Sequence, residues 1–457
     1  MSRKIFWAGV PVLLAILAYA ALAGAGPSAR LAGAATTFLI ACWGLRILSE
    51  GTAAMLFFLV LAVSGTVPSS VVFSGFTTPA FWLVFSGLII GRAIRESGLS
   101  RRLAGMLGAK RGRSYPLLLG RIIAGGVIFA FFLPSGMGRI VILTPLLVDF
   151  AKSCGFSEKD KGYVGILLAG ILGTYLIPFA ILPANLPNVI LSGAAKALYG
   201  MEIGYLRYFV LHFPVLGLLK SLLVWGCLCL LFPATLADAD GKTEPVPWNG
   251  REIGTILVLL AALACWMTDS LHGVSPGWVS LAAAILLLAP ASGWFGPELL
   301  TGIKMDTLLF VACAIGVGNV IQASGLAAFM GAHLLGALPL EPGAGAHNLP
   351  VLLGVFLSTG LLTSLPGIPS VFVPLAQGIA QSVQMPLSSL LMLLVPAFST
   401  VLLPYQGPPL IVAVHAARIP YRAMLLACLL LAAGTILLLF PLDLLWWKLL
   451  GVPLSGV

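Results

Sequence analysis

Apolar residues run almost end to end along the chain, interrupted by short polar or Pro/Gly-bearing turns. A helix that crosses a bilayer needs about 20 such residues in a row. The pattern predicts an all-α polytopic membrane protein with about eleven transmembrane helices. The predicted spans are 5–26, 33–48, 52–69, 79–97, 163–200 (interrupted), 210–233, 253–270, 277–291, 306–326, 388–417 (interrupted) and 423–441. The first of these reads as a retained N-terminal helix within residues 1–32, because its apolar core is too long for a signal peptide. Two further apolar stretches, 116–149 and 349–383, are too long for one span and break in the middle. The breaks are Leu133-Pro134-Ser135-Gly136-Met137-Gly138 and Ser364-Leu365-Pro366-Gly367-Ile368-Pro369. A stretch that enters, breaks and leaves on the same side is a re-entrant hairpin.

Charge orients these elements. Of the 25 Lys and Arg, eighteen fall on one side when both hairpins return to their own side. Four (Arg30, Lys196, Arg207 and Lys448) fall on the other, and three (Arg121, Arg139 and Lys220) lie within apolar stretches. Cytoplasmic loops are the Lys/Arg-rich ones. The N-terminus is therefore expected in the cytoplasm and the C-terminus outside, in a bacterial-type inner membrane. Counting either hairpin as a full span would reverse everything after it and spoil this asymmetry.

Composition agrees. Residues are 60% hydrophobic and 9% charged, and the mean hydropathy is +1.07. Soluble domains carry about 25% charged residues. That excludes a soluble enzyme, a disordered chain and a nucleic-acid-binding module. The net charge of +10 is mostly topological. The seven cysteines are scattered through apolar runs without ligand spacing, as small core side chains would be.

The chain repeats. Residues 1–32 precede a first half, 33–233, with hairpin 116–149 and broken helix 163–200. The polar stretch 234–252 reads as a cytoplasmic linker. A second half, 253–457, has hairpin 349–383 and broken helix 388–417. Ile90-Gly91-Arg92 to Ser97-Gly98-Leu99 recurs as Val317-Gly318-Asn319 to Ser324-Gly325-Leu326. Each broken helix carries a Pro motif, Pro183-Ala184-Asn185-Leu186-Pro187-Asn188 and Pro404-Tyr405-Gln406-Gly407-Pro408-Pro409. On the assigned topology the halves are inverted. Paired broken helices in inverted repeats point to a secondary-transporter site near the bilayer midplane. Helix N-termini there suit anions, and stray carbonyls suit a small cation.

The polar side chains at the breaks are Ser135, Arg139, Asn185, Asn188, Thr363, Ser364 and Gln406. Arg139 stands deep in an apolar stretch, where a charge costs at least about 2.5–3.5 kcal/mol. Every Asp and Glu falls in a loop or at a predicted segment end, Asp443 included. Arg139 is therefore expected to meet a carboxylate, a sulfonate or a similar oxyanion. The rival reading is an Arg that donates to helix-end carbonyls and shapes the tip. Lys220 reads as a deeper structural cation, and His212 as a segment-edge residue. His415, beside the second break, is the histidine placed for proton coupling. No HExxH, Ser/His pairing or GxxxxGK[ST] loop occurs, so neither an enzyme nor a nucleotide-driven pump is expected, and no cofactor.

The hairpins and Pro motifs together resemble the divalent-anion/sodium symporter family of the wider ion-transporter superfamily, from about residue 33 to 450. That family carries Ser-Asn-Thr at each hairpin tip, ten residues before a Pro. Pro145 and Pro374 place the triplets on Ser135-Gly136-Met137 and Ser364-Leu365-Pro366. Its Gly-Thr-Pro-Pro-Asn-like motifs fall on Ala184-Asn185-Leu186-Pro187-Asn188 and on Gln406-Gly407-Pro408-Pro409-Leu410. The resemblance implies that these tips and breaks bind substrate, with a sodium position near Ser135, Asn188 and Ser364. It also implies a homodimer and an elevator-like movement. Both tip Asn residues are replaced here, by Gly136 and Leu365, and both Thr residues by Met137 and Pro366. These departures count against sodium coupling and against a standard C4-dicarboxylate. The expected function is secondary transport of small anions: di- or monocarboxylates, or sulfate-like oxyanions. The alternative is a non-transporting, proton-linked or exchange-type protein on the same fold.

Overall fold

A computed structural model describes all residues except 1, 46, 100–113, 134, 237–246, 290–292, 328, 331–337, 363 and 455–457. The basic segment Arg101–Arg113, most of the 234–252 linker, Pro134 and Thr363 lie outside the described residues. Among the described residues every regular element is helical. Six helices are long and apolar enough to cross a membrane. There are seven if Gly367–Val383 and Leu387–Phe398, bent by 119°, count as one. Several other predicted spans are shorter apolar helices, such as Glu50–Ser64 and Pro276–Leu288. Large apolar side chains such as Val63, Leu230 and Leu437 face outward, as lipid-facing residues would.

Local chemistry ends the helices where the sequence suggests. Ser49, Thr78, Ser114 and Ser135 each cap a helix start with a side-chain oxygen. Gly65, Gly98 and Gly200 end helices in the left-handed conformation. Both predicted hairpins are helix pairs broken at the predicted place. The first is Tyr115–Phe132 and Gly136–Ser153; the second is Gly345–Leu362 and Gly367–Val383. Both interrupted spans are broken too. Lys161–Tyr175 ends in two short 3-10 turns before Leu186–Tyr199 begins. Leu387–Phe398 ends before the turn Pro404–Gln406, and Pro408–Ala416 follows.

Two predicted spans differ in extent. The helix predicted at 210–233 starts at Tyr205, passes through a π-helical turn at Phe213–Leu219 and ends at Leu231. The last one does not stop at 441. It runs from Tyr421 through a π-helical turn at Thr435–Leu439 to Leu449. His212 and Asp443 therefore lie inside the bundle, not at segment edges. Their side chains are 0% and 1% exposed.

A large core joins both hairpins to both broken spans. A smaller core packs Pro27–Leu45 and Glu50–Ser64 onto Met305–Ala323. The second half begins on a capping box. Asn249 Oδ1 accepts the Glu252 N–H at 2.7 Å, and Glu252 Oε2 accepts the Asn249 N–H at 3.1 Å. The Asn249 amide also donates to the Ser97 carbonyl of the first half at 3.2 Å. Asn249→Ala removes the cap and this tie. It is expected to lower stability by about 1–2 kcal/mol, read as a lower melting temperature in detergent. Asn249→Asp, which keeps the cap acceptor, should recover most of the loss.

Candidate functional site

A broken helix leaves carbonyls with no helical donor, and in an apolar surrounding each must find one. The first break shows where they go. The Thr174 carbonyl would bond the N–H four residues on, but that residue is Pro178, which has none. Arg139 Nε donates to it instead, at 2.9 Å. Arg139 Nη1 donates to the Leu133 carbonyl at the hairpin tip (2.6 Å) and to the Ala184 carbonyl at the far side of the break (2.9 Å). Arg139 Nη2 donates to Asn185 Oδ1 at 3.0 Å. The Asn185 amide donates to the Tyr175 carbonyl at 3.1 Å. The Asn188 amide serves both Phe179 (3.1 Å) and Ile181 (2.9 Å), and Tyr208 Oη also donates to Phe179 (2.7 Å).

Arg139, expected to offer its charge to an anion, is occupied here by protein oxygens. The side chain is 0% exposed, and four of its five N–H groups go to protein oxygens. It stitches the first hairpin tip to the first break, which is the rival reading. Asn185 is likewise committed at both ends. Asn188 keeps one free group: its Oδ1 is buried without a hydrogen-bond partner.

The second break is held differently. Gln406 Oε1 accepts the N–H groups of Leu402 and Leu403 at 2.7 and 2.8 Å. The Gln406 carbonyl accepts the Leu365 N–H at 3.1 Å, which pins the second hairpin tip to its own break. Tyr405 Oη adds a bond to the Leu361 carbonyl at 2.6 Å. The Ser399 carbonyl is taken by Lys220 Nζ, at 2.6 Å.

The predicted residues do come together, around one the sequence reading missed. The Tyr175 ring lies between the two halves. A Cβ on Gly136 would meet it at 3.3 Å and Asn185 Oδ1 at 2.9 Å. A Cβ on Gly407 would meet Tyr175 Oη at 2.7 Å. Both glycines are therefore places where backbone approaches this ring. The signal was present: a Tyr in an apolar segment, three residues before the Pro that breaks it. Ser135, Gly136 and Met137 are half-exposed at the first tip, as are Ser364 and Pro366 at the second. Pro187 is buried in the first turn of Leu186–Tyr199, and Pro408 opens Pro408–Ala416 half-exposed. His415 is exposed at the end of that helix, away from a buried coupling position.

The tips are not chemically equivalent. Ser135 Oγ caps its helix through the Gly138 N–H at 3.1 Å, so the N–H groups of Gly136 and Met137 have no intrahelical partner. They point from a helix N-terminus, which favours an anion. At the second tip Pro366 has no N–H, and Gly367 already donates to the Ser364 carbonyl at 2.8 Å. Among the described residues no His/Cys/Asp/Glu group of metal-site size occurs.

Comparison with known proteins is informative at this point. The family described as "Sodium:sulfate symporter transmembrane region" matches residues 5–453. The chain is 24% identical to the citrate/succinate antiporter of Escherichia coli K12 over 366 residues, covering 74% of this chain and 72% of that one. It is 24% identical to the L-tartrate/succinate antiporter of the same strain over 282 residues, 58% and 57% of the two chains. A membrane protein of Cupriavidus necator is 23% identical over 369 residues, 75% and 71%. The solved YdaH transporter of Alcanivorax borkumensis shares the fold with a TM-score of 0.56, at 16% identity, over 90% of this chain and all of that one.

Arg139→Ala would leave three buried carbonyls and Asn185 Oδ1 without donors, each worth about 1–3 kcal/mol. The variant should melt well below the wild type. Arg139→Lys should rescue only in part, because one ammonium cannot reach all four acceptors. Wild-type melting in Arg139→Ala would show that the guanidinium does not hold the break.

Proposed function

The chain belongs to the sodium:sulfate symporter transmembrane-region family, and we propose that it is a secondary transporter of small oxyanions, with di- and tricarboxylates first. The observation that carries this reading is the first hairpin tip. A half-exposed helix N-terminus there presents the Gly136 and Met137 amides, the Ser135 hydroxyl stands beside them, and both broken spans converge on Tyr175. An oxyanion seated there takes its hydrogen bonds from backbone N–H groups and from the hydroxyl of Ser135. The names of the antiporter relatives support the carboxylate class.

The coupling follows from Arg139. Three carbonyls and one amide oxygen around a positive charge form the kind of oxygen shell that unwound helices offer to sodium. Here a guanidinium fills that shell as a built-in cation. The first half then needs no sodium, so anion exchange or coupling to a proton takes the place of sodium symport. Asn188 Oδ1 is the acceptor left for a coupling ion or a substrate hydroxyl. The Lys/Arg asymmetry supports a bacterial inner membrane with the N-terminus in the cytoplasm. The re-entrant hairpins, the inverted halves, an elevator-like movement and a homodimer belong to the same proposal.

Proteoliposomes preloaded with unlabelled succinate or citrate test it. Radiolabelled anion should enter by counterflow at the same rate with sodium replaced by potassium. Counterflow that collapses without sodium would remove Arg139 as a built-in cation. Absence of counterflow for every carboxylate and for sulfate would remove the transport reading. Gly136→Ala, which pushes a methyl against Asn185 Oδ1, should slow uptake sharply while the protein still folds.

A further inference from the structure

A second buried polar cluster lies outside the candidate site and is used by no step described above. It sits where the two π-helical turns, Phe213–Leu219 and Thr435–Leu439, pack against each other. Each turn adjoins a Phe-Pro pair, Phe213-Pro214 and Phe440-Pro441. A Pro removes the N–H that a regular helix needs, so the turn widens. Such π turns occur often at functional positions.

Four side chains define the cluster. Asp443 is 1% exposed; the Trp447 indole N–H faces its carboxyl but does not reach good hydrogen-bond geometry. His212 is 0% exposed, and both ring nitrogens are without a hydrogen-bond partner. Trp447, one helical turn beyond Asp443, turns its buried Nε1 toward that carboxyl, and its ring centre is 5.6 Å from that of His212. Lys220 is buried and interacts electrostatically with Asp443. Its Nζ is bonded to the carbonyl and hydroxyl of Ser399, at 2.6 and 3.3 Å.

Orphaned buried polar atoms are rare in folded proteins and call for an explanation. Ionisable residues inside a membrane protein mark ion or proton pathways. A buried carboxylate with no well-formed hydrogen bond costs far more than the neutral acid, so adding one proton to Asp443 relieves the cluster. The cluster also touches both breaks. Lys220 holds the Ser399 carbonyl of the second. Tyr208, whose ring centre is 4.6 Å from that of His212, holds the Phe179 carbonyl of the first.

We propose that the Asp443–His212–Lys220 cluster binds and releases a proton during the transport cycle. The proposal rests on the transport reading given above and adds the coupling ion. With the proton on an Asp443 oxygen, the carboxyl is neutral and Lys220 stays with Ser399. When the proton leaves, the carboxylate competes for the Lys220 ammonium, and the Ser399 carbonyl loses its donor. Proton occupancy is thereby linked to the geometry of the second break. The other titratable groups on the elements packed against Asp443 are Tyr205 and Tyr208, with Arg207 and Lys448 exposed. Beyond Tyr205 stands Asp269, which accepts the Tyr205 N–H.

Two measurements test the proposal. Infrared spectra of the purified protein, titrated across the neutral range, should show a protonated-carboxyl band that comes and goes with pH. Asp443→Asn should lack that band, and Asp443→Glu should restore it at a shifted frequency. In proteoliposomes an imposed pH gradient should drive anion accumulation by the wild type. Asp443→Asn should keep counterflow but lose this accumulation, together with the signal of a pH dye trapped inside. A titrating band identical in wild type and Asp443→Asn would overturn the proton site. So would gradient-driven uptake unchanged in the variant. A titrating Asp443 band with no counterflow of any anion would support the proton site and sink the transport reading instead.

Discussion

The structure turns on the need to satisfy carbonyls where a helix is interrupted inside an apolar bundle. Water cannot do so, and lipid offers no donor. Each break therefore recruits side chains. The first is served by Arg139, Asn185, Asn188 and Tyr208, the second by Lys220, with Gln406 receiving its free N–H groups. The bond to Thr174 shows the logic most clearly. Pro178 deletes one donor from the helix, and Arg139 replaces it from another helix. A charge that looks costly in hydrocarbon is affordable because it is hydrogen-bonded on nearly every side.

That same requirement shapes the site. Arg139 ties the Leu133 carbonyl of the first tip to the Thr174 and Ala184 carbonyls of the first break. Gln406 ties the second tip to the second break. Tip and break are thereby tied to each other, and the two units meet at Tyr175, against Gly136 on one side and Gly407 on the other. On the proposed reading, what is left for a ligand is what the framework does not consume: the amides of Gly136 and Met137, and Asn188 Oδ1.

Much of this architecture was legible in the linear sequence. Both hairpin breaks and both broken spans follow from Pro, Gly and hydropathy patterns, which act over a few residues. The residue types at the breaks were legible too. The partners of Arg139 were not. Its bonds to Thr174 and Ala184 reach 35 and 45 residues along the chain, to backbone carbonyls that carry no side-chain signature. Lys220 reaches 179 residues to Ser399. Asp443 was misread because Pro441 looks like a helix end, whereas the helix continues through a π turn to Leu449.

The sequence by itself therefore determined where helices run, where they break and which chemical groups stand at the breaks. Those depend on local propensity and on the cost of burying polar groups. The tertiary structure decided which donor meets which carbonyl. It turned Arg139 from an expected anion contact into the centre of an oxygen shell, and it placed Tyr175 between the halves. It also drew Asp443, His212 and Lys220 into one buried cluster. Pairing between distant segments is set by how whole helices pack, and no local pattern of apolar and polar residues encodes it.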